Sequence, residues 1–303
     1  MTPIGRQTDA MDLLAALLAA LLGLIDPPAP WSPGASRSDV TIILDPTPVD
    51  ARLPPPPILG PAGTDRPLVV LDPGHGGRDP GAVATGGNRR EKDVTLAIAR
   101  AVRDALVASG RVRVALTRND DSYLALRDRY GLARQLHADL FISIHADAAP
   151  NPGASGATIY TLSEVASDAE AALLAARENQ ADQIGSNEPG RRDADVNRIL
   201  IDLSQRESMD ISARFAALLY REAAPTVPFR PVPHAFASFA VLKAPDIPSV
   251  LFECGYLTHA PDLAYLESEA GRNQIASGMR RAIEAHFARR QPRGASPSAA
   301  DRI

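Results

Sequence analysis

From about residue 67 to residue 290, short apolar runs of strand length alternate with longer stretches of helical spacing. That alternation is what most limits the folds open to this chain. Residues 67–72 (PLVVLD), 111–117 (RVRVALT), 139–144 (DLFISI), 158–161, 239–242 and 249–252 read as strands. Residues 91–109 place Val94, Ile98, Ala101, Val102, Ala105 and Leu106 at three- and four-residue spacing, as an amphipathic helix does, and Gly110 ends it. Residues 124–136 and 271–289 read as helices, and 166–224 as largely helical with a break near 185–190. The pattern predicts an α/β fold: a single layered domain with a mainly parallel central sheet flanked by helices. In such sheets ligands collect outside the carboxyl ends of the strands.

The flanks read differently. Residues 13–25 (LLAALLAALLGLI) are an uninterrupted apolar run, too short to cross a bilayer as a helix and suited to the core of a secretory signal. Arg6 is the only basic residue before it, and Asp9 and Asp12 intervene, so a buried or membrane-surface helix is the other reading. Residues 26–66 are rich in proline, with Pro54 to Pro57 in a row, and read as an extended linker. Within it, residues 39–44 (DVTIIL) have the makings of one short strand. Residues 291–303 are polar and small, and read as a disordered tail.

Composition closes off several functions. A net charge of −4 gives no electrostatic case for nucleic acid or an anionic membrane surface as a partner. The single cysteine, Cys254, excludes an intrachain disulfide and a cysteine-rich structural zinc site.

Chemistry concentrates where strands end. Residues 67–72 run into Pro73-Gly74-His75-Gly76-Gly77, residues 139–144 into His145-Ala146-Asp147, and residues 249–252 into Glu253, while Glu91 opens the helix after the first glycine-rich loop. If the strands are parallel neighbours, these side chains meet at one sheet edge. Two imidazoles and a carboxylate are a known ligand set for catalytic zinc, with one position left open. A further carboxylate would serve as general base, and Glu253 is suitably placed. Singly, each residue has a plainer reading: a hydrogen-bonded surface histidine, or a first-turn glutamate that compensates the helix dipole. The spacing matches no short zinc motif, so the concurrence at strand ends carries the argument.

These motifs resemble the zinc-dependent N-acetylmuramoyl-L-alanine amidases of the amidase-3 type, which separate daughter cells in Gram-negative bacteria. The resemblance spans residues 67–290. Residues 70–82 (VLDPGHGGRDPGA) are similar to the first metal motif, 90–93 (REKD) to the second and 141–148 (FISIHADA) to the third. Thr117-Arg118, Asp121, Leu126 and Arg129 follow the family's strand-to-helix spacing, and residues 242–251 with Glu253 resemble its catalytic-glutamate motif. The resemblance implies that His75, Glu91 and His145 bind Zn2+ and that Glu253 is the general base. It also implies cleavage of the amide between N-acetylmuramic acid and L-alanine in peptidoglycan, in the periplasm, by a monomer. Asp147 is left with two readings, orienting a ligand or capping the following loop, and Arg129 reads as a structural ion-pair partner. Cys254 and the stretch 256–259 (YLTH) depart from the family pattern without touching a ligand. No wall-binding β domain fits within residues 26–66, which puts septal targeting in doubt.

Residues 155–224 resemble the regulatory helical insertion by which such amidases hold themselves inactive until an activator of the LytM type withdraws a helix. A carboxylate on that helix can occupy the open zinc position, with Glu170 the first candidate and Glu178 the second, against solvated helix-face charges as the plain reading. A non-catalytic peptidoglycan-binding or regulatory relative would be expected to have lost a ligand or the base, and all four are present. A cysteine hydrolase built on Cys254 is the third class; its neighbour Glu253 would face the opposite side of a strand, which leaves Cys254 as a buried thiol.

Overall fold

The computed structural model describes residues 53–84, 87, 89–149, 153–181 and 198–290. The apolar run, the 39–44 strand, the helix break near 185–190 and the tail lie outside them.

Among the described residues the elements run β1 (Leu68–Pro73), α1 (Glu91–Ser109), β2 (Arg113–Leu116), α2 (Leu126–Gln135), β3 (Leu140–His145) and β4 (Ala157–Leu162). They continue with α3 (Ala169–Gln180), α4 (Arg198–Ala223), β5 (Phe229–Ala237), a 3₁₀ turn (Ala240–Leu242), β6 (Ser249–Glu253), α5 (Ala260–Glu267) and α6 (Glu269–Arg290). The strands form one sheet in the order β2-β1-β3-β6-β4-β5. The first four are mutually parallel, β4 runs antiparallel to β6, and β5 runs parallel to β4. The fold is therefore α/β and mainly parallel, as expected, with a reversed pair at one edge.

The near-continuous apolar sequences of β1 and β3 follow from burial on both faces. On one face Val69, Leu71, Ile142, Ile144, Val250 and Phe252 pack against Ile98 and Val102 of α1, Phe215 and Leu219 of α4, and Met279 and Ile283 of α6. On the other, Val70, Phe141, Tyr160 and Leu251 meet Leu126 and Ala133 of α2 and a short apolar stripe of α3, namely Ala171, Leu174 and Ala175.

Two expectations are corrected. Residues 239–242 are not a strand: only the 3₁₀ turn forms there, and the strand lies just before, at β5. β5 contains Pro231 and Pro233, which lack ladder donors, and it sits at the sheet edge, where that is tolerated. The 155–224 insertion carries the expected strand at 158–161 and packs into the body of the fold. It contains β4, a sheet strand, and the end of α4, whose Phe215, Leu219 and Ala223 belong to the core. Finally, residues 58–60 do not run free of the fold. Leu59 exchanges backbone hydrogen bonds of 2.8 and 2.9 Å with Val114 of the other edge strand, β2.

Candidate metal centre

β1 and β3 are adjacent and in register, Pro73 beside Ile144, so the residues that follow each strand emerge side by side. β6 pairs with β3 on the other flank and sets Glu253 beside His145. The register alone thus brings His75, His145 and Glu253 to one sheet edge. Glu91, first residue of α1, is brought in by the glycine-rich loop, its backbone N–H donating to Ala82 O at 2.8 Å.

That loop is shaped for close approach. A Cβ on Gly74 would lie 2.6 Å from the His145 ring, and one on Gly81 would lie 2.6 Å from both Glu91 Oε2 and His75 Cδ2. His75 itself has φ of +61°, a left-handed conformation that non-glycine residues seldom adopt and that suggests a position held for function. Two buried arginines hold it. Arg129 donates to His75 O at 2.8 Å and Pro73 O at 2.9 Å, and Arg118 to Gly74 O at 2.7 Å and Pro73 O at 3.0 Å. Beneath them Asp72 accepts from Arg129 (3.0 Å), Thr117 (2.6 Å) and Ser143 (2.7 Å). Burial alone would raise the Asp72 pKa; Arg129 and the two hydroxyls outweigh it and keep it below the usual carboxylate range. Arg129 is thus a structural pairing residue, in keeping with its sequence reading.

The two imidazoles meet edge to face with centroids 4.9 Å apart. Glu91 lies between them, Oε2 3.0 Å from His75 Nε2 and Oε1 3.1 Å from His145 Nδ1. Backbone N–H groups of Ala82 (2.8 Å) and Ala146 (2.9 Å) fix its two oxygens. Glu178 of α3 enters from above, Oε2 3.5 Å from His75 Nε2 and 3.3 Å from His145 Nδ1. His75, His145 and Glu178 offer donor atoms all within 4.8 Å of one another, and all three are buried.

The electrostatics favour positive charge at this point. Burial disfavours a charged His75, yet Glu91, Glu178 and the hydrogen bond to Asp79 raise its pKa well above the ordinary value. Burial likewise opposes ionisation of Glu91, and the two histidines override it and hold its pKa well down. His75 Nε2 is buried without a hydrogen-bond partner, facing carboxylate oxygens. Nitrogen and carboxylate donors converging on one buried point fit a divalent ion such as zinc.

Glu253 is fully buried; Oε2 accepts from the Asp147 N–H at 3.1 Å, and Oε1 has no hydrogen-bond partner. Burial, then Asp147, Glu91 and Glu178, push its pKa well above the carboxylate range, as suits a group that takes up a proton. Cys254 turns to the opposite face and packs in the core, and burial followed by Glu253 drives its thiol pKa far up, so it is inert as a nucleophile.

Asp147 matches the capping reading, since Oδ1 accepts from the Ala148 N–H at 2.6 Å, and its other oxygen pairs with Arg177 of α3. Glu170, the first candidate for reaching the zinc position, is instead turned to Arg230, which holds it in a bidentate pair of 2.7 and 2.8 Å. The second candidate, Glu178, is the one at the histidines. Sequence reasoning gave no role to Asp79, whose Oδ2 lies 2.9 Å from His75 Nδ1 and fixes the ring so that Nε2 faces the centre. Its place four residues after His75 in the first motif was the available signal. Arg177 and Asn179 were missed as well. Asn179 clamps α3 to Ser238 O (2.8 Å) and to the Ala240 N–H (2.7 Å), long-range contacts that no local pattern announces.

The chain is similar to known proteins in sequence and in fold. The Amidase_3 family profile, described as N-acetylmuramoyl-L-alanine amidase, matches residues 69–285. The N-acetylmuramoyl-L-alanine amidase AmiA of Escherichia coli K12 is 38% identical over 221 residues, 73% of this chain and 76% of that protein. AmiC of Neisseria meningitidis is 38% identical over 230 residues, but those cover only 55% of its length and 74% of this chain. Among solved structures, the amidase AmiC2 of Nostoc punctiforme aligns with a TM-score of 0.53 at 28% identity, covering 75% of this chain and 99% of that one. On the profile match and the AmiA identity, this chain belongs to the Amidase_3 family of peptidoglycan N-acetylmuramoyl-L-alanine amidases.

Proposed function

We propose that the chain is a zinc-dependent amidase that cuts the bond between the lactyl group of N-acetylmuramic acid and L-alanine, acting in the periplasm during daughter-cell separation. The observation that carries this is the convergence of His75 Nε2, His145 Nδ1 and the Glu91 carboxylate on one buried point, with Glu253 alongside. His75, Glu91 and His145 would hold the ion. Bound zinc polarises a carbonyl and lowers the pKa of a water to about 7. Glu253 takes the proton of the attacking water at its unpartnered Oε1 and delivers it to the departing L-alanine nitrogen. The Asp147 N–H keeps the other oxygen in place. Asp79 holds the His75 proton on Nδ1, and the two backbone donors orient Glu91 between the rings.

In this reading α3 is a lid. Glu178 Oε2, 3.5 and 3.3 Å from the two ring nitrogens, would be within reach of the same ion, so substrate would enter only when α3 withdraws, and an activator of the LytM type is the proposed agent. Export by the apolar run 13–25 belongs to the same proposal. Metal analysis of the purified protein, activity assays after chelation or thiol alkylation, and mass spectrometry of digested peptidoglycan test it. The expected result is stoichiometric zinc, activity lost to chelator alone, and stem peptides released with a free L-alanine amine. Activity that survives complete chelation overturns it.

A further inference from the structure

Arg177 and Glu178 are neighbours on α3, and both reach into the site. While Glu178 meets the histidines, the Arg177 guanidinium pairs with Asp147 and donates to Ala148 O at 2.8 Å. Asp147 is buried, and its backbone N–H is the one that holds Glu253. A buried carboxylate and a carbonyl oxygen, aimed at the same guanidinium, make a receptor for a cation immediately beside the catalytic carboxylate. If α3 leaves, Arg177 leaves with Glu178, and the Asp147 carboxylate and the Ala148 carbonyl lose the guanidinium they share.

We infer that the Asp147 carboxylate and the Ala148 carbonyl form a subsite for a cationic side chain of the stem peptide, an amine-bearing residue, and that Arg177 occupies this subsite as a substrate mimic while α3 is closed. The lid then copies its substrate at two points, an oxygen at the metal centre and a positive charge at Asp147. The identity of the ligand rests on the amidase reading; the cation receptor does not.

Two arms test it. In the first, Arg177→Ala, and Arg177→Met as a second variant, are titrated with N-acetyl-lysine methylamide and with its uncharged norleucine counterpart while unfolding is followed. The amine is expected to raise Tm by about 2 °C or more near saturation, the norleucine compound not at all, and Asp147→Asn added to either variant to abolish the effect. Equal response to both compounds, or a response that survives Asp147→Asn, overturns the subsite. In the second arm, an Arg177→Ala/Glu178→Ala chain is given soluble muramyl peptides carrying either a free or an acetylated side-chain amine. A preference of about tenfold in kcat/KM for the free amine is expected, expressed in KM and lost in Asp147→Asn. Hydrolysis of both peptides at equal rates refutes the subsite alone. Hydrolysis of neither refutes the amidase reading, and the first arm then still decides the subsite.

Discussion

Replacing Glu178 with alanine removes the one α3 carboxylate that faces both imidazoles, at 3.5 and 3.3 Å. A charge-assisted contact of this kind contributes about 1.5–3 kcal/mol in net terms. At about 1.4 kcal/mol per tenfold, losing one such interaction shifts the opening equilibrium of α3 by about 10- to 150-fold. The helix does not become free, because the Glu170–Arg230 pair, the Asn179 clamps and Arg177 on Asp147 persist. The basal rate should therefore rise by that factor and remain open to further activation. Dye release from labelled, purified peptidoglycan measures the rate, zinc content is measured on the same sample, and circular dichroism checks the fold. A folded, zinc-loaded Glu178→Ala protein no faster than about twice the parent refutes the lid. Loss of zinc in the variant would make Glu178 an indispensable ligand rather than a cover.

Other outcomes follow from the same geometry. Glu253→Gln should bind zinc normally yet lose at least about 100-fold in kcat, the usual scale for a general base; near-full turnover would remove Glu253 from that role. Asp79→Ala should weaken zinc binding about 10- to 100-fold in competition with a chromogenic chelator, because His75 loses the partner that fixes its ring. His234, half-buried on β5, has a pKa lowered by burial. The unfolded chain therefore takes up its proton first, so stability falls as pH drops below about 6.5 and the loss is complete below the folded pKa. His234→Gln should flatten the decline in Tm between about pH 7.5 and 5, and an unchanged slope would assign that decline to other groups.

The parallel half of this molecule was legible because its signals are local. Buried strands β1, β3 and β6 read as apolar runs, each ending in a polar residue, and parallel pairing converts that pattern directly into a site. α1 was readable to its termini from the spacing of its apolar residues and from Gly110, which closes it at φ of +65°. β5 was hidden by Pro231 and Pro233, and only its edge position, a property of the whole sheet, makes them acceptable. The reversal of β4 and β5 has no sequence signature at all. The choice between Glu170 and Glu178 likewise depended on Arg230, 60 residues from Glu170, which claims the former and leaves the latter for the histidines.

If α3 is the lid proposed above, its make-up bears on how it would open. Its contribution to the interior is two alanines and one leucine, and a single fully buried leucine represents only about 1.5–3 kcal/mol. Most of its hold therefore comes from ionic and polar fasteners, which a competing charged surface can undo one at a time. A partner need offer little greasy area to prise such a helix away. The sheet and the helices packed on its other face, on which the fold depends, would then be undisturbed.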